Sequence, residues 1–236
     1  MNVFGQIGSW TVGNGTYAEY TIAAVTSIAR RPPDLDAEFA AALPQTGVSA
    51  LQLIDAASPR PDANVVVLGA TGGIGSILLQ LLARRQAKAI AVTRASNDEY
   101  ARSLGASTSL DYETVDVPRE LSVMFPSGID GVFDLVGDGE LNRRMDELIR
   151  PGGHLVSMRG GADIDTLHKR GVTGVNIATQ VTSERLERLV QLVRDGSIRR
   201  PEILLLPLDE APSALERIGA GHTRGKLVLS TRAGHN

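Results

Sequence analysis

Between residues 62 and 178 the apolar positions repeat one alternation. Short runs rich in Val, Ile and Leu occur at "NVVVLG", "AIAVT", "GVFDLVG" and "GHLVSM". Apolar continuity of this kind suits strands buried on both faces. Between the first two lies "SILLQLLARRQ". The second is followed by "NDEYARSL", with Asn97 as its expected N-cap and Gly105 as its stop. "GELNRRMDELIR" fills the gap before the fourth run and is expected to end at Pro151-Gly152-Gly153. A further strand is expected at "GVTGVNIA". Strands alternating with helices predict a parallel sheet with right-handed crossovers, the doubly wound α/β class.

The flanks have a different texture. "VFGQI" and "TYAEYTI" read as strands around the turn residues Gly13-Asn14-Gly15. "RRPPDLD" excludes helix or central strand. "AEFAAAL" and "TGVSALQLIDAA" read as helical, with Pro44 as a break between them. The clearest amphipathic helix is "SERLERLVQLVRDG". Leu186, Leu189, Val190 and Val193 share one face, Ser183 is its expected cap and Gly196 its end. The tail predicts a last helix at "DEAPSALERIGAG" and a closing strand at "KLVLS".

Composition narrows the chemistry. The chain has 236 residues, 42% hydrophobic and 22% charged, enough to bury a core. Its net charge is −3 and no basic block exceeds a pair, which speaks against a nucleic-acid surface. With no cysteine, a disulfide, a thiolate zinc site and a cysteine nucleophile are excluded. The four histidines show no metal-ligand spacing, and His154 and His222 read as surface or strand-edge residues. No run approaches transmembrane length and no signal core opens the chain, so the expectation is a cytoplasmic protein without metal or membrane partner.

Gly69-Ala70-Thr71-Gly72-Gly73-Ile74-Gly75 stands straight after the first strand and at the mouth of a helix. Backbone can approach a pyrophosphate there without a Cβ in the way, and the helix N-terminus offers free N–H groups. A plain tight turn is the alternative; the alternation that follows favours the nucleotide. An NAD-specific site places an acid about 20 residues further on. Here Thr93, Arg94, Ala95 and Ser96 occupy that place. Guanidinium and hydroxyls suit a 2′-phosphate, so the expected cofactor is NADP(H). The alternative for Arg94 is an exposed loop arginine.

Two nicotinamide families use such a turn. The short-chain dehydrogenases pair it with Tyr-x-x-x-Lys, and none of Tyr17, Tyr20, Tyr100 and Tyr112 has a lysine four residues on. The chain instead resembles the medium-chain dehydrogenase/reductase superfamily, in its zinc-free quinone oxidoreductase and enoyl reductase branch. The likeness runs in order through "VFG…GTYAEYTI", "ALPQTGVSALQLI", "VVVLGATGGIGSILLQLLA", "ARSLGASTSLDY", "FDLVGDGELNRRMDELIRPGGHLVSM" and "GHTRGKLVLS".

The resemblance implies a Rossmann domain at 36–180, a remnant of a GroES-like β domain at 1–35, and helices with a strand at 181–236 that return to that remnant. Family members precede "VFG" with most of the GroES-like domain, so a chain lacking most of it is expected. By resemblance, Thr71, Gly72, Gly73 and Ile74 cradle the pyrophosphate, and Arg94 and Ser96 face the 2′-phosphate. Ser49 lies near the cofactor and Tyr112 beside the adenine, where a packing ring is the alternative. Val136 and Gly137 line the nicotinamide-side ribose; Met158, otherwise ordinary core, and Arg159 border the nicotinamide. The implied activity is hydride transfer from NADPH to a quinone, enone or enoyl-type substrate. The alternative is an NADPH-binding module or truncated fragment without turnover, serving as redox sensor or partner subunit. No Ser-His-Asp set or carboxylate pair presents itself, and catalytic residues stay unassigned. A homodimer is implied, with "GVTGVNIA" as the sheet edge.

Overall fold

The computed structural model describes residues 1–7, 15–220 and 223–231. The chain divides into two compact units, Ser49–Thr179 and Met1–Val48 with Gln180–Asn236.

The first unit is built on a six-stranded sheet. Its strands are β3 (Asn64–Leu68), β4 (Lys88–Thr93), β5 (Thr108–Asp111), β6 (Ile129–Asp134), β7 (Ile149–Ser157) and β8 (Thr173–Asn176). All neighbours pair parallel, in the order β5-β4-β3-β6-β7-β8. The first strand in sequence is thus central, and the chain winds outward from it first one way and then the other. That is the doubly wound Rossmann arrangement. β3 shows why its run is unbroken: Val65, Val66 and Val67 are all fully buried, so both faces are covered. Helices α2 (Gly75–Arg84), α3 (Asp98–Ser103), α4 (Val117–Met124), α5 (Gly139–Asp146) and α6 (Ile164–Lys169) make the crossovers. One core cluster joins Val66, Leu68, Ile90, Val132 and Leu155 of the sheet to Leu121, Met145 and Leu167 of the helices. β8 is the edge strand that the sequence suggested.

The other unit holds β1 (Val3–Gly5), antiparallel to β2 (Ile28–Arg30), and β9 (Ile203–Pro207), parallel to β10 (Lys226–Ser230). It also holds α7 (Ser183–Arg194) and α8 (Ala211–Gly219). Residues 16–22, expected as a strand, form none: 16–19 are bends and 20–22 are irregular. Tyr17, Tyr20 and Ile22 are exposed there, and the β1 ladder is filled by Ile28–Arg30. The turn residues Gly13 and Asn14, like His222, lie outside the described residues.

Four local expectations are corrected. Pro44 does not break the chain into two helices: α1 (Ala37–Ala57) runs through it. A proline inside a helix costs about 3 kcal/mol. Burial of Leu43, Val48, Leu51 and Leu53 to 1% exposure or less offsets that cost. Ser183 is not the cap of α7. Thr182 accepts from the Arg185 N–H, while the Ser183 hydroxyl reaches the carbonyls of Val25 (3.1 Å) and Ile28 (2.7 Å). α5 stops at Asp146, short of Pro151, because β7 begins at Ile149 and pairs with Ile129. His154 is neither a surface nor an edge residue. It sits on interior strand β7 with its ring 5.6 Å from Phe133, in space that Gly131 leaves free. Burial depresses its pKa to about 4, against a small pull from Asp130.

No helix among the described residues is long and apolar enough to cross a membrane. Asp146, at the end of α5, is 6% exposed, and its Oδ1 has no hydrogen-bond partner among the described residues. Burial pushes its carboxyl up to about 6, with Arg170 acting weakly the other way. The folded chain therefore holds this proton more tightly than the unfolded chain, and the group's contribution to stability falls as pH rises from about 4 to about 6. Asp146→Asn is expected to leave the melting temperature nearly unchanged at pH 4. At pH 7 it should stabilise by at most about 3 kcal/mol. Thermal melts of both proteins at the two pH values check this.

Candidate functional site

In open α/β sheets the crevice lies beyond the carboxyl ends of the strands, where the winding reverses. Here that point is between β3 and β6. Gly69 leaves β3 at φ +77°, a conformation side chains rarely adopt, and a Cβ on it would meet Val136 Cγ2 at 3.2 Å. The two turn tips that frame the crevice are therefore in close contact. The Gly72 N–H bonds the Gly69 carbonyl at 3.2 Å, closing the turn. A Cβ on Gly75 would lie 2.4 Å from the Ala70 carbonyl oxygen, so the start of the helix and the turn after β3 approach only because this position is glycine. α2 begins with no side-chain cap; the N–H groups of Ser76, Ile77 and Leu78 bond the carbonyls of Gly72 and Ile74, so those left for a ligand belong to Gly73, Ile74 and Gly75 just ahead of them.

The glycine turn is tied to the end of β4. The hydroxyls of Thr71 and Thr93 are 2.8 Å apart, and Asn97 Nδ2 lies 3.4 Å from Thr71 Oγ1. Thr71 thus turns its side chain inward, leaving the backbone of 71–74 as the surface of the turn. Asn97 stands at the N-cap position of α3 but makes no cap bond, its amide being spent on this cluster. Arg94 follows directly on the exit of β4, with Ser96 exposed two residues further on. Arg94 Nε is shielded from solvent and 2.8 Å from Glu113 Oε1, a charge pair whose N–H is not aimed along the contact. Glu113 and half-exposed Tyr112 sit on the turn after β5, where the Asp111 carboxylate accepts the Glu113 N–H at 3.0 Å.

Across the crevice, one buried carboxylate organises two turns. Asp134, fully buried at the end of β6, accepts the N–H groups of Val136 (3.0 Å) and Gly137 (2.9 Å) on Oδ1. Its Oδ2 accepts from Asn142 (2.9 Å) and from the Ser157 hydroxyl (2.7 Å). Ser157 Oγ in turn accepts the N–H groups of Arg159 and Gly161. Gly137, at φ +86°, lies against the Arg159 side chain. Val136, Gly137, Met158 and Arg159 are thereby held side by side above β6 and β7. Ser49, fully buried, is 2.7 Å from the Thr179 hydroxyl, three residues beyond β8.

All twelve sequence-derived positions thus belong to one unit, and eleven of them lie on turns at the carboxyl side of its sheet. The supporting residues Glu113, Asp134, Asn142 and Ser157 were not singled out from the sequence, and Thr93 and Asn97 were noted there only as neighbour of Arg94 and as expected cap. Asp134 had a usable signal: a carboxylate ending an apolar strand cannot be buried without several donors. No group of three His, Cys, Asp or Glu is placed to hold a metal among the described residues.

Removing the Asp134 carboxylate would strand buried donors on both turns. Asp134→Ala is expected to destabilise by about 2–4 kcal/mol in urea unfolding. Gly75→Ala must push backbone aside and should cost about 1–3 kcal/mol by the same assay.

Comparison with known proteins gives concordant likenesses. A family model described as zinc-binding dehydrogenase matches residues 104–229. A chloroplast envelope quinone oxidoreductase homolog of Arabidopsis thaliana is 30% identical over 234 residues, covering 92% of this chain and 69% of that one. The human mitochondrial NAD(P)H oxidoreductase RTN4IP1 is 25% identical, covering 97% and 64%. Among solved structures, the quinone oxidoreductase from Coxiella burnetii superposes with a TM-score of 0.87 at 28% identity, covering 98% of this chain and 72% of that one. The chain spans about two thirds of the length of the curated relatives.

Proposed function

Because this chain belongs to the zinc-binding dehydrogenase family, in the zinc-free quinone oxidoreductase branch of the medium-chain dehydrogenase/reductase superfamily, we propose that it is an NADPH-dependent oxidoreductase acting on a quinone, enone or enoyl-type substrate. Its relatives carry oxidoreductase names, and one is named for NAD(P)H. The observation that carries the cofactor reading is the uncapped start of α2 behind a glycine turn, with Arg94 at the tip of the neighbouring strand.

In this reading the backbone of Thr71, Gly72, Gly73 and Ile74 cradles the pyrophosphate, helped by the positive end of α2. Arg94 and Ser96 meet the 2′-phosphate, and Tyr112 covers the adenine. Val136, Gly137, Met158 and Arg159 border the ribose and nicotinamide, with Ser49 nearby. The bound nicotinamide supplies the hydride, and the chain orients it and excludes water. Asp134 contributes rigidity, since it fixes both nicotinamide-side turns at once. The family description names zinc, but the chain has no cysteine and the described residues hold no ligand cluster, so no step is routed through a metal.

The same reading assigns 36–180 to cofactor binding, 1–35 to a GroES-like remnant and 181–236 to a return toward it. It includes a homodimer through the β8 edge and action in the cytoplasm. The experiment is a titration of the chain with NADPH and NADH, followed by nicotinamide fluorescence. NADPH is expected to bind more tightly, and Arg94→Ala should weaken it by about tenfold or more while changing NADH little. Equal binding of the two would overturn the NADPH preference; binding of neither would overturn the cofactor site.

A further inference from the structure

The residues after the glycine turn contain no acid before Asp98, yet the fold brings a carboxylate to Arg94 from elsewhere. β4 and β5 pair in register, Thr93 opposite Asp111, so the chain leaves both strands at the same level. The turn after β5 is closed by Asp111: its carbonyl accepts from Thr114 and Val115, both at 3.1 Å, and its carboxylate from the Glu113 N–H. This closed turn carries Glu113 over Arg94, where Oε1 meets Nε at 2.8 Å. Glu113 is half exposed and Arg94 less so, and neither terminal amino group of Arg94 bonds another described residue.

A site with this pair faces two ligands differently. A ribose 2′-phosphate is drawn to the guanidinium but must approach within a few ångströms of a like-charged carboxylate. A ribose 2′-hydroxyl can instead donate to that carboxylate, the interaction that NAD-selective sites obtain from an acid at the end of the second strand. Resting on the cofactor reading above, we infer that Glu113 is a specificity-determining residue. It restrains the NADPH preference that Arg94 confers and lets the same site accept NADH. It acts through Arg94, by occupying the cation when no 2′-phosphate is bound.

The test is a double-mutant cycle on the full chain, with fluorescence titration of NADPH and NADH and a thermal melt of each variant. Glu113→Gln is expected to tighten NADPH roughly fivefold while leaving NADH unchanged or weaker, widening the ratio of the two dissociation constants. In the Arg94→Ala background the same substitution should no longer tighten NADPH. An unchanged ratio, with both cofactors still bound by the wild type, would overturn the role of Glu113 and leave the cofactor site standing. Tightening of equal size without Arg94 would overturn the route through the arginine. Failure of the wild type to bind either cofactor would overturn the site and this role together. If Glu113→Gln melts early, Glu113→Asp, which draws the charge back by one methylene, should shift the ratio in the same direction by less.

Discussion

Strand β3 is paired parallel on both edges and buried on both faces, and this constrains everything else in its unit. A parallel neighbour can be reached only by a crossover that returns the chain to the starting end. Each crossover must also cover a sheet face, because Val65, Val66 and Val67 tolerate no water. Five crossovers therefore deliver their outgoing turns to one side of the sheet. The gathering of Gly69, Arg94, Tyr112, Gly137 and Arg159 at that side follows from topology, before any ligand is considered. Where the winding reverses, the turns after β3 and β6 are neighbours with no helix between them. The closeness of Gly69 and Val136 is the local expression of that gap.

What topology gathers, polar bonds make rigid. Beside β3 and β4, hydroxyls of Thr71 and Thr93 join the glycine turn to β4, and Asn97 adds the start of the next helix. Beside β6 and β7, Asp134 takes four donors from three segments. A carboxylate so surrounded compensates its own desolvation, which is the condition under which a buried charge is tolerated. Both clusters use short side chains with few rotamers, so little entropy is lost in holding them.

Much of this was legible in the sequence because it rests on local pattern. The apolar runs located β3, β4, β6 and β7 at once, and the glycine turn marked the start of α2. Long-range partnership was not legible. β5 has one buried apolar residue, Leu110, in "TSLD", too little periodicity to mark it as a strand. Glu113 lies 19 positions from Arg94 in sequence and meets it only through β-pairing. Pro44 misled because local propensity says break while burial along α1 holds the helix together. Asn97 stands at the N-cap position the sequence marked but caps nothing, and Ser183 is not the cap at all, because a residue able to cap is also able to bond elsewhere, and here each does.

Two groups that take no part in the crevice, buried Asp146 and partly buried His154, have a joint effect. Burial leaves Asp146 protonated below about pH 6, while it keeps His154 neutral down to about pH 4. On unfolding near pH 5, the aspartate releases a proton and the histidine takes one up. The release and the uptake have opposite signs, so the contributions of these two groups to the slope of stability against pH largely offset each other. Acid tolerance in that interval is then a balance between opposed strains. Relieving either one alone would leave a fold whose stability follows the acidity of its surroundings more closely.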